Sequence, residues 1–531
     1  MTRAQPKLSP TDQHARRIAA ATAKGRPPML MPDLEAYFDS SPREIFAAFE
    51  GAARHMPPAG KDEGLAFGYL FLLRGLLEHL RYRTDRGYRD AARLISDFQA
   101  EVAARAEAGR IDGCMLAFVG GALHRSKIPP SPEFAGASAK QHVDDDEGEP
   151  FPADVRAALA GLFEACDGDL FALVASFAEF SHATPGATRG ALAAGLALGG
   201  APDAGGAAVL FLLDPDPAVR RQVAGALAQV ASSLSPSDVR RLIAIRNWRP
   251  EDERAEVDAI VRKARAAGID CAQWEAGSAE TIFASAIDGS ATQGFLLVSP
   301  AGRKKRISSI LTKGGIADAW SGTPESRRMV EATLAQSDMN IPMLAVSRSY
   351  LDRMVAHHLA LSVEKGEPPP LGLLQVAETL GGADWQPARM DFNETLAGVI
   401  AEVPKAMRVG AAVETALRKS GELVDLEIIQ SWFEDGPDIA QAVAGARGRS
   451  RAKLATYLLQ SVIARRRDKW ADLILRTALW MREAAADDDL CWHELAVVAQ
   501  ALADGRDMTE IGLMRDIAER TVAVLADDAR M

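Results

Sequence analysis

A chain of 531 residues is too long for one hydrophobic core and divides into several domains. Its formal charge of −11 speaks against nucleic-acid binding driven by net charge alone. No run of about 18 uncharged apolar residues is present, which excludes an obvious membrane span and leaves no membrane partner to expect.

The N-terminal stretch MTRAQPKLSPTDQHARR is polar and lacks the apolar core of a secretory signal, so a cytoplasmic location is expected. Residues 1–30 carry Pro6, Pro10, Pro27 and Pro28 and read as largely disordered, with one short helix near Asp12 to Lys24. Residues 31–128 read as an N-terminal helical bundle. Within it, Leu65 to Leu80 is apolar nearly all round, which is the pattern of a helix at a bundle centre. Residues 129–152 form a linker: three prolines in IPPSP lead into the acidic run Asp144-Asp145-Asp146-Glu147.

Residues 153–275 carry the most specific pattern. Helix starts at Thr184-Pro185, Asp216-Pro217 and Arg249-Pro250 place prolines 32 and 33 residues apart, each with an arginine shortly after. An apolar pair at helical spacing follows each start: Leu192/Leu196, Val223/Leu227 and Val257/Val261. Helix-turn-helix units recurring every 30–40 residues or so point to a solenoid, because no single pair buries its apolar face alone. The run Leu212 to Arg220, followed by Val223, Ala226 and Leu227, resembles the turn and second helix of a HEAT repeat. The resemblance covers residues 167–268. It implies that Asp214 or Asp216 of the turn pairs with Arg220 of the second helix.

Residues 276–320 interrupt the helical pattern. Phe295 to Val298 is a short apolar run, Pro300-Ala301-Gly302 is a turn signal, and Ile307, Ile310 and Leu311 follow, which together predict a β-hairpin. Its tip displays Arg303, Lys304, Lys305 and Arg306. In the same region Asp288-Gly289 reads as turn chemistry, with a ligand-binding loop as the other reading. Residues 321–531 return to helices cut by turn signals. The expected fold class is therefore all-α, a helical-repeat or α-solenoid architecture with one small β-hairpin insertion.

Chemical signatures are sparse. No phosphate-binding glycine loop, nucleophile elbow or H-E-x-x-H pair is present, so no cofactor, metal or catalytic residue is assigned. The four cysteines, Cys114, Cys166, Cys271 and Cys491, include no C-x-x-C pair. Cys491 and His493 would need further ligands from elsewhere to hold a metal. His357 and His358 project about 100° apart on a predicted helix, which suits one metal poorly, and they read as helix-surface side chains.

The basic residues carry more information. Between Arg447 and Lys469 stand Arg447, Arg449, Arg451, Lys453, Arg465, Arg466, Arg467 and Lys469 against the single acid Asp468. The leading expectation is a non-catalytic scaffold or adaptor that binds protein partners on a HEAT-like solenoid surface. The alternative is a nucleic-acid-binding helical-repeat protein that holds phosphates on Arg447 to Lys469 and Arg303 to Arg306. Some HEAT-like proteins hold DNA in this way and a few are DNA glycosylases. That extension would need an acidic residue and aromatics in the groove, and Trp432, Trp470, Trp480 and Trp492 are the aromatic candidates.

Overall fold

The computed structural model describes residues 8–23, 32–56, 62–85, 88–143, 166, 169–181, 186–199, 204–274, 277, 279, 281–340, 342–425, 429, 431–446, 449–484 and 492–528. Two compact units divide the chain, Met1–Gly195 and Leu196–Met531.

The first unit is helical: α1 (Pro10–Thr22), α2 (Pro32–Ser40), α3 (Ile45–His55), α4 (Glu63–Asp85), α5 (Arg89–Glu107), α6 (Gly113–Arg125), α7 (Pro132–Val143) and α8 (Leu170–Ser181). Ser9 caps α1 through a reciprocal pair of bonds with Asp12, and Pro10 takes the first helical position, so entry to the helix is fixed locally. Helix α4 lies at the centre, packed by α1, α3 and α5. Its Leu72, Leu73, Leu76 and Leu77 are fully buried, as the all-round apolar sequence predicts. At Gly68 the backbone of α4 meets α1 so closely that a methyl group would overlap the carbonyl oxygen of Ala15. Helix α7 occupies part of the stretch read as a linker. The acidic run that follows it lies outside the described residues.

Helix α9 (Gly186–Leu198) spans the division between the units. The second unit continues with α10 (Ala204–Leu210), α11 (Pro217–Gln229), α12 (Pro236–Asn247) and α13 (Glu251–Ala266). Asp216 caps α11 and a Ser235–Asp238 capping box starts α12, each with proline in the first turn.

A five-stranded antiparallel sheet follows, and it overturns the all-α expectation. Its strands are β1 (Thr281–Ser285), β2 (Thr292–Ala301), β3 (Lys304–Lys313), β4 (Ile316–Ser321) and β5 (Met343–Ala345), in the order β4-β3-β2-β1-β5. Helix α14 (Arg327–Asn340) lies between β4 and β5 in sequence. The expected hairpin is β2–β3, with Ala301 opposite Lys304 and Gly302 at a φ of 62° in the turn. The other three strands are short, and β5 has three residues. β1 and β4 pair with the hairpin and β5 with β1, so each takes its ladder from a neighbour rather than from its own periodicity.

Helices complete the unit: α15 (Arg348–Glu364), α16 (Leu371–Thr379), α17 (Phe392–Glu402), α18 (Gly410–Lys419), α19 (Pro437–Gly445), α20 (Arg451–Ser461), α21 (Arg467–Ala484), α22 (Trp492–Ala503) and α23 (Gly512–Asp528). One sheet face carries Ile282, Ala284, Phe295, Leu297 and Ile310, all buried. Helix α15 packs on it, with Tyr350 against Phe295 and its hydroxyl bonded to Gln293. Helix α16 runs hard against β4, where Gly372 has no room for a side chain beside the Ala319 carbonyl. Among the described residues no helix is long and apolar enough to cross a membrane.

Candidate functional site

The repeat-like turn brings Asp214, Asp216 and Arg220 together, with Arg220 bonded to the turn's backbone. The Arg220 guanidinium donates to the backbone carbonyls of Asp214 and Pro215, at 2.8 Å each, and pairs with the Glu253 carboxylate at 2.6 Å. The Asp214 and Asp216 carboxylates accept from the backbone N–H groups of Asp216 and Ala218, which fixes the turn. Arg249, fully buried, also pairs with Glu253 and donates to the Leu212 carbonyl. Burial, and then the neighbouring Arg220, push the Arg249 guanidinium down to about 10. This cluster ties α11 to α13 and is built as a brace.

The basic residues divide by what they touch. Arg447 lies outside the described residues. Arg449 lies over the ring of Tyr457 at 4.2 Å, and Arg451 and Arg465 are exposed. Arg466 pairs with Glu434 and, at 2.6 Å, with Asp438. Lys469 reaches Glu434 at 3.1 Å, and Arg467 donates to the Leu502 and Arg506 carbonyls. Glu434, 3% exposed, also accepts from the Trp470 indole at 2.8 Å. Three of the seven described cations of the stripe, Arg466, Arg467 and Lys469, are therefore committed to internal acceptors. Trp432, Trp470, Trp480 and Trp492 are buried and so line no open groove. At the hairpin, Arg303 and Lys304 are exposed, Arg306 is half-buried, and the backbone of Lys305 bridges to Glu325.

The outward sheet face carries a second pattern. One row runs Ala345, Phe283, Leu296, Ser309 and Trp320 across all five strands. Leu311 lies one row on, opposite Asp318. Trp320 is 44% exposed and Leu311 37%, while Phe283 and Leu296 are half-buried.

A cleft of about 570 Å³ opens where the turns at Ala291 and Gly314 meet α15, the start of α17, and α21. Here the surface reading of His357 and His358 is corrected, because both are buried between the helix packing on the sheet and the cleft. Their rings meet edge-on at 5.1 Å. His357 Nδ1 accepts from the Met390 backbone N–H at 3.2 Å, which puts the ring proton on Nε2. His358 is 1% exposed and, among the described residues, neither ring nitrogen has a partner. Burial, and then Arg476, pull His357 down to about 4 and His358 to about 2, so both rings are neutral at pH 7. Arg476 holds Asp472 through Nε at 2.9 Å, Arg389 pairs with Glu364 at 2.6 Å, and Asp391 caps α17 by accepting from Glu394.

The Asp288-Gly289 turn is closed by the Asp288 carboxylate, which accepts from the N–H groups of Ser290 and Thr292. Ala291 of the same turn lines the cleft. Sequence reasoning missed the rest of the cleft. The adjacent histidines were its visible signal, and their burial was not. Among the described residues no cluster of three or more His, Cys, Asp or Glu could hold a metal ion.

Residues 185–268 match the family model described as the Y4lR second domain. Residues 393–526 match that described as the Y4lR C-terminal helical domain. The first match spans the helices from α9 to α13, so the stretch likened to HEAT repeats is similar to that domain. The second takes in α21 and all but the first residue of α17, two of the walls of the cleft. No curated protein and no solved structure matches the chain.

Proposed function

We propose that this chain is a non-catalytic, cytoplasmic scaffold whose work is to bind another protein. The observation that carries the reading is the outward sheet face, where Trp320 and Leu311 stand exposed beside Phe283 and Leu296. An exposed apolar patch centred on an aromatic ring is the usual chemistry of a protein-binding surface. Arg303 and Lys304, at the end of the same strands, supply a cationic rim. The partner that fits is a protein segment with apolar side chains flanked by carboxylates. The nucleic-acid alternative gains less support, because Arg466, Arg467 and Lys469 already serve internal acceptors.

The test is site-specific photocrosslinking from position 320 in the native host, with an exposed position on α1 as control. The reading expects one discrete protein band from position 320, lost when Leu311 becomes Asp. Crosslinks only to nucleic acid, or none that differ from the control, would sink it.

A further inference from the structure

The cleft beside His358 contains more unused hydrogen-bonding capacity than a packed interior tolerates. Its two carboxylates are occupied: Asp472 takes the Arg476 Nε, and Asp391 caps α17. What remains is mostly donors. Arg476 is 6% exposed, and its two terminal nitrogens have no protein acceptor among the described residues. His357 presents the N–H at Nε2. His358 presents one N–H and one lone pair, both without a partner among the described residues. A buried polar group left in that state costs about 1–3 kcal/mol. His358 in that state, beside an arginine whose terminal nitrogens face the cleft, therefore marks a place where something else supplies the bonds.

The inventory specifies the occupant. A planar guanidinium with two free terminal nitrogens matches the two oxygens of a carboxylate or phosphate group. A neutral imidazole that needs both an acceptor and a donor is matched by a hydroxyl, which is both. Leu361 and Phe392 give the cleft apolar walls, and its volume is that of an ordinary small-molecule site.

We propose that this cleft binds a small hydroxylated oxyanion, a sugar acid or sugar phosphate, with its charged group on Arg476 and a hydroxyl on His358. The inference is independent of the scaffold reading, since none of the cleft residues belongs to the exposed sheet row of Phe283, Leu296, Leu311 and Trp320.

The test is a titration of the full chain, labelled with ¹⁵N in histidine and arginine, against gluconate, ribose 5-phosphate and uncharged ribose. The expected result is a saturable shift of the His358 ring nitrogens with at least one charged probe in the millimolar range. Gluconate alone acting would assign a carboxylate ligand, and ribose 5-phosphate alone a phosphate. Ribose should bind about tenfold more weakly or worse, since a charge-assisted bidentate pair is lost. Arg476→Met should abolish the shift. Leu361→Trp, which fills the cleft and keeps every polar group, should do the same even if the arginine variant fails to fold. The proposal is overturned if neither charged probe saturates at tens of millimolar, if ribose binds as well as the charged probes, or if Leu361→Trp leaves binding unchanged. In those cases ordered water alone satisfies His358.

Discussion

His357 and His358 are bases whose folded values, about 4 and about 2, lie below the 6.5 of a free histidine. Between those values the unfolded chain binds protons that the folded chain does not. Stability from these residues is therefore complete above about pH 6.5 and falls as the pH drops towards 4, with His358 extending the loss below that. Each histidine contributes a slope of about 1.4 kcal/mol per pH unit across its window. Urea melts at pH 7, 6 and 5 should show the decline, and His358→Gln should remove roughly half of the slope. A stability curve flat from pH 7 to 5 in the wild type would contradict the burial of both rings.

At the scale of elements, Glu434 anchors the start of α21 by accepting from Arg466, Lys469 and the Trp470 indole. Glu434→Ala leaves a buried indole N–H and the Lys469 ammonium without their acceptor and leaves Arg466 with Asp438 alone. We expect it to cost about 2–4 kcal/mol in a denaturant melt. A loss under about 1 kcal/mol would mean that water replaces the carboxylate freely. The same scale shows what the sequence could convey. The β2–β3 hairpin was legible because Phe295 to Val298 and the turn at Gly302 are local signals. Strands β1, β4 and β5 were not, because three to six residues such as TIFAS or MLA acquire strand geometry only from a neighbour's ladder. The cleft was less legible still. Ala291, His358, Asp391 and Arg476 come from four separate elements, and only tertiary packing turns two apparent surface histidines into buried ones. The basic stripe shows the mirror-image limit: its charges are visible in the sequence, while Glu434, the carboxylate that takes up Arg466 and Lys469, lies outside it.

For the whole molecule, the two units each bury their own side chains, so a change confined to one core should be felt there first. Gly68→Ala tests this. Its methyl would overlap the Ala15 carbonyl at the α1–α4 crossing, and separating the helices should cost about 1–3 kcal/mol. We expect the variant to lower the melting step of the first unit and leave the His358-dependent pH response of the second unchanged. If both steps fell together by the same amount, the division into separate cores would be wrong.

All eight tryptophans, from Trp248 to Trp492, belong to the second unit. The chain's ultraviolet emission is therefore a private report on one of its two units, and the first unit is optically silent above the tyrosine band. Within that report most of the indoles are sealed from solvent, while Trp320 stands in it. A water-soluble quencher such as iodide should darken a small, red-shifted fraction of the light and spare the remainder. Whatever docks on the outward sheet face would restore that fraction, so the protein carries its own unlabelled gauge of occupancy.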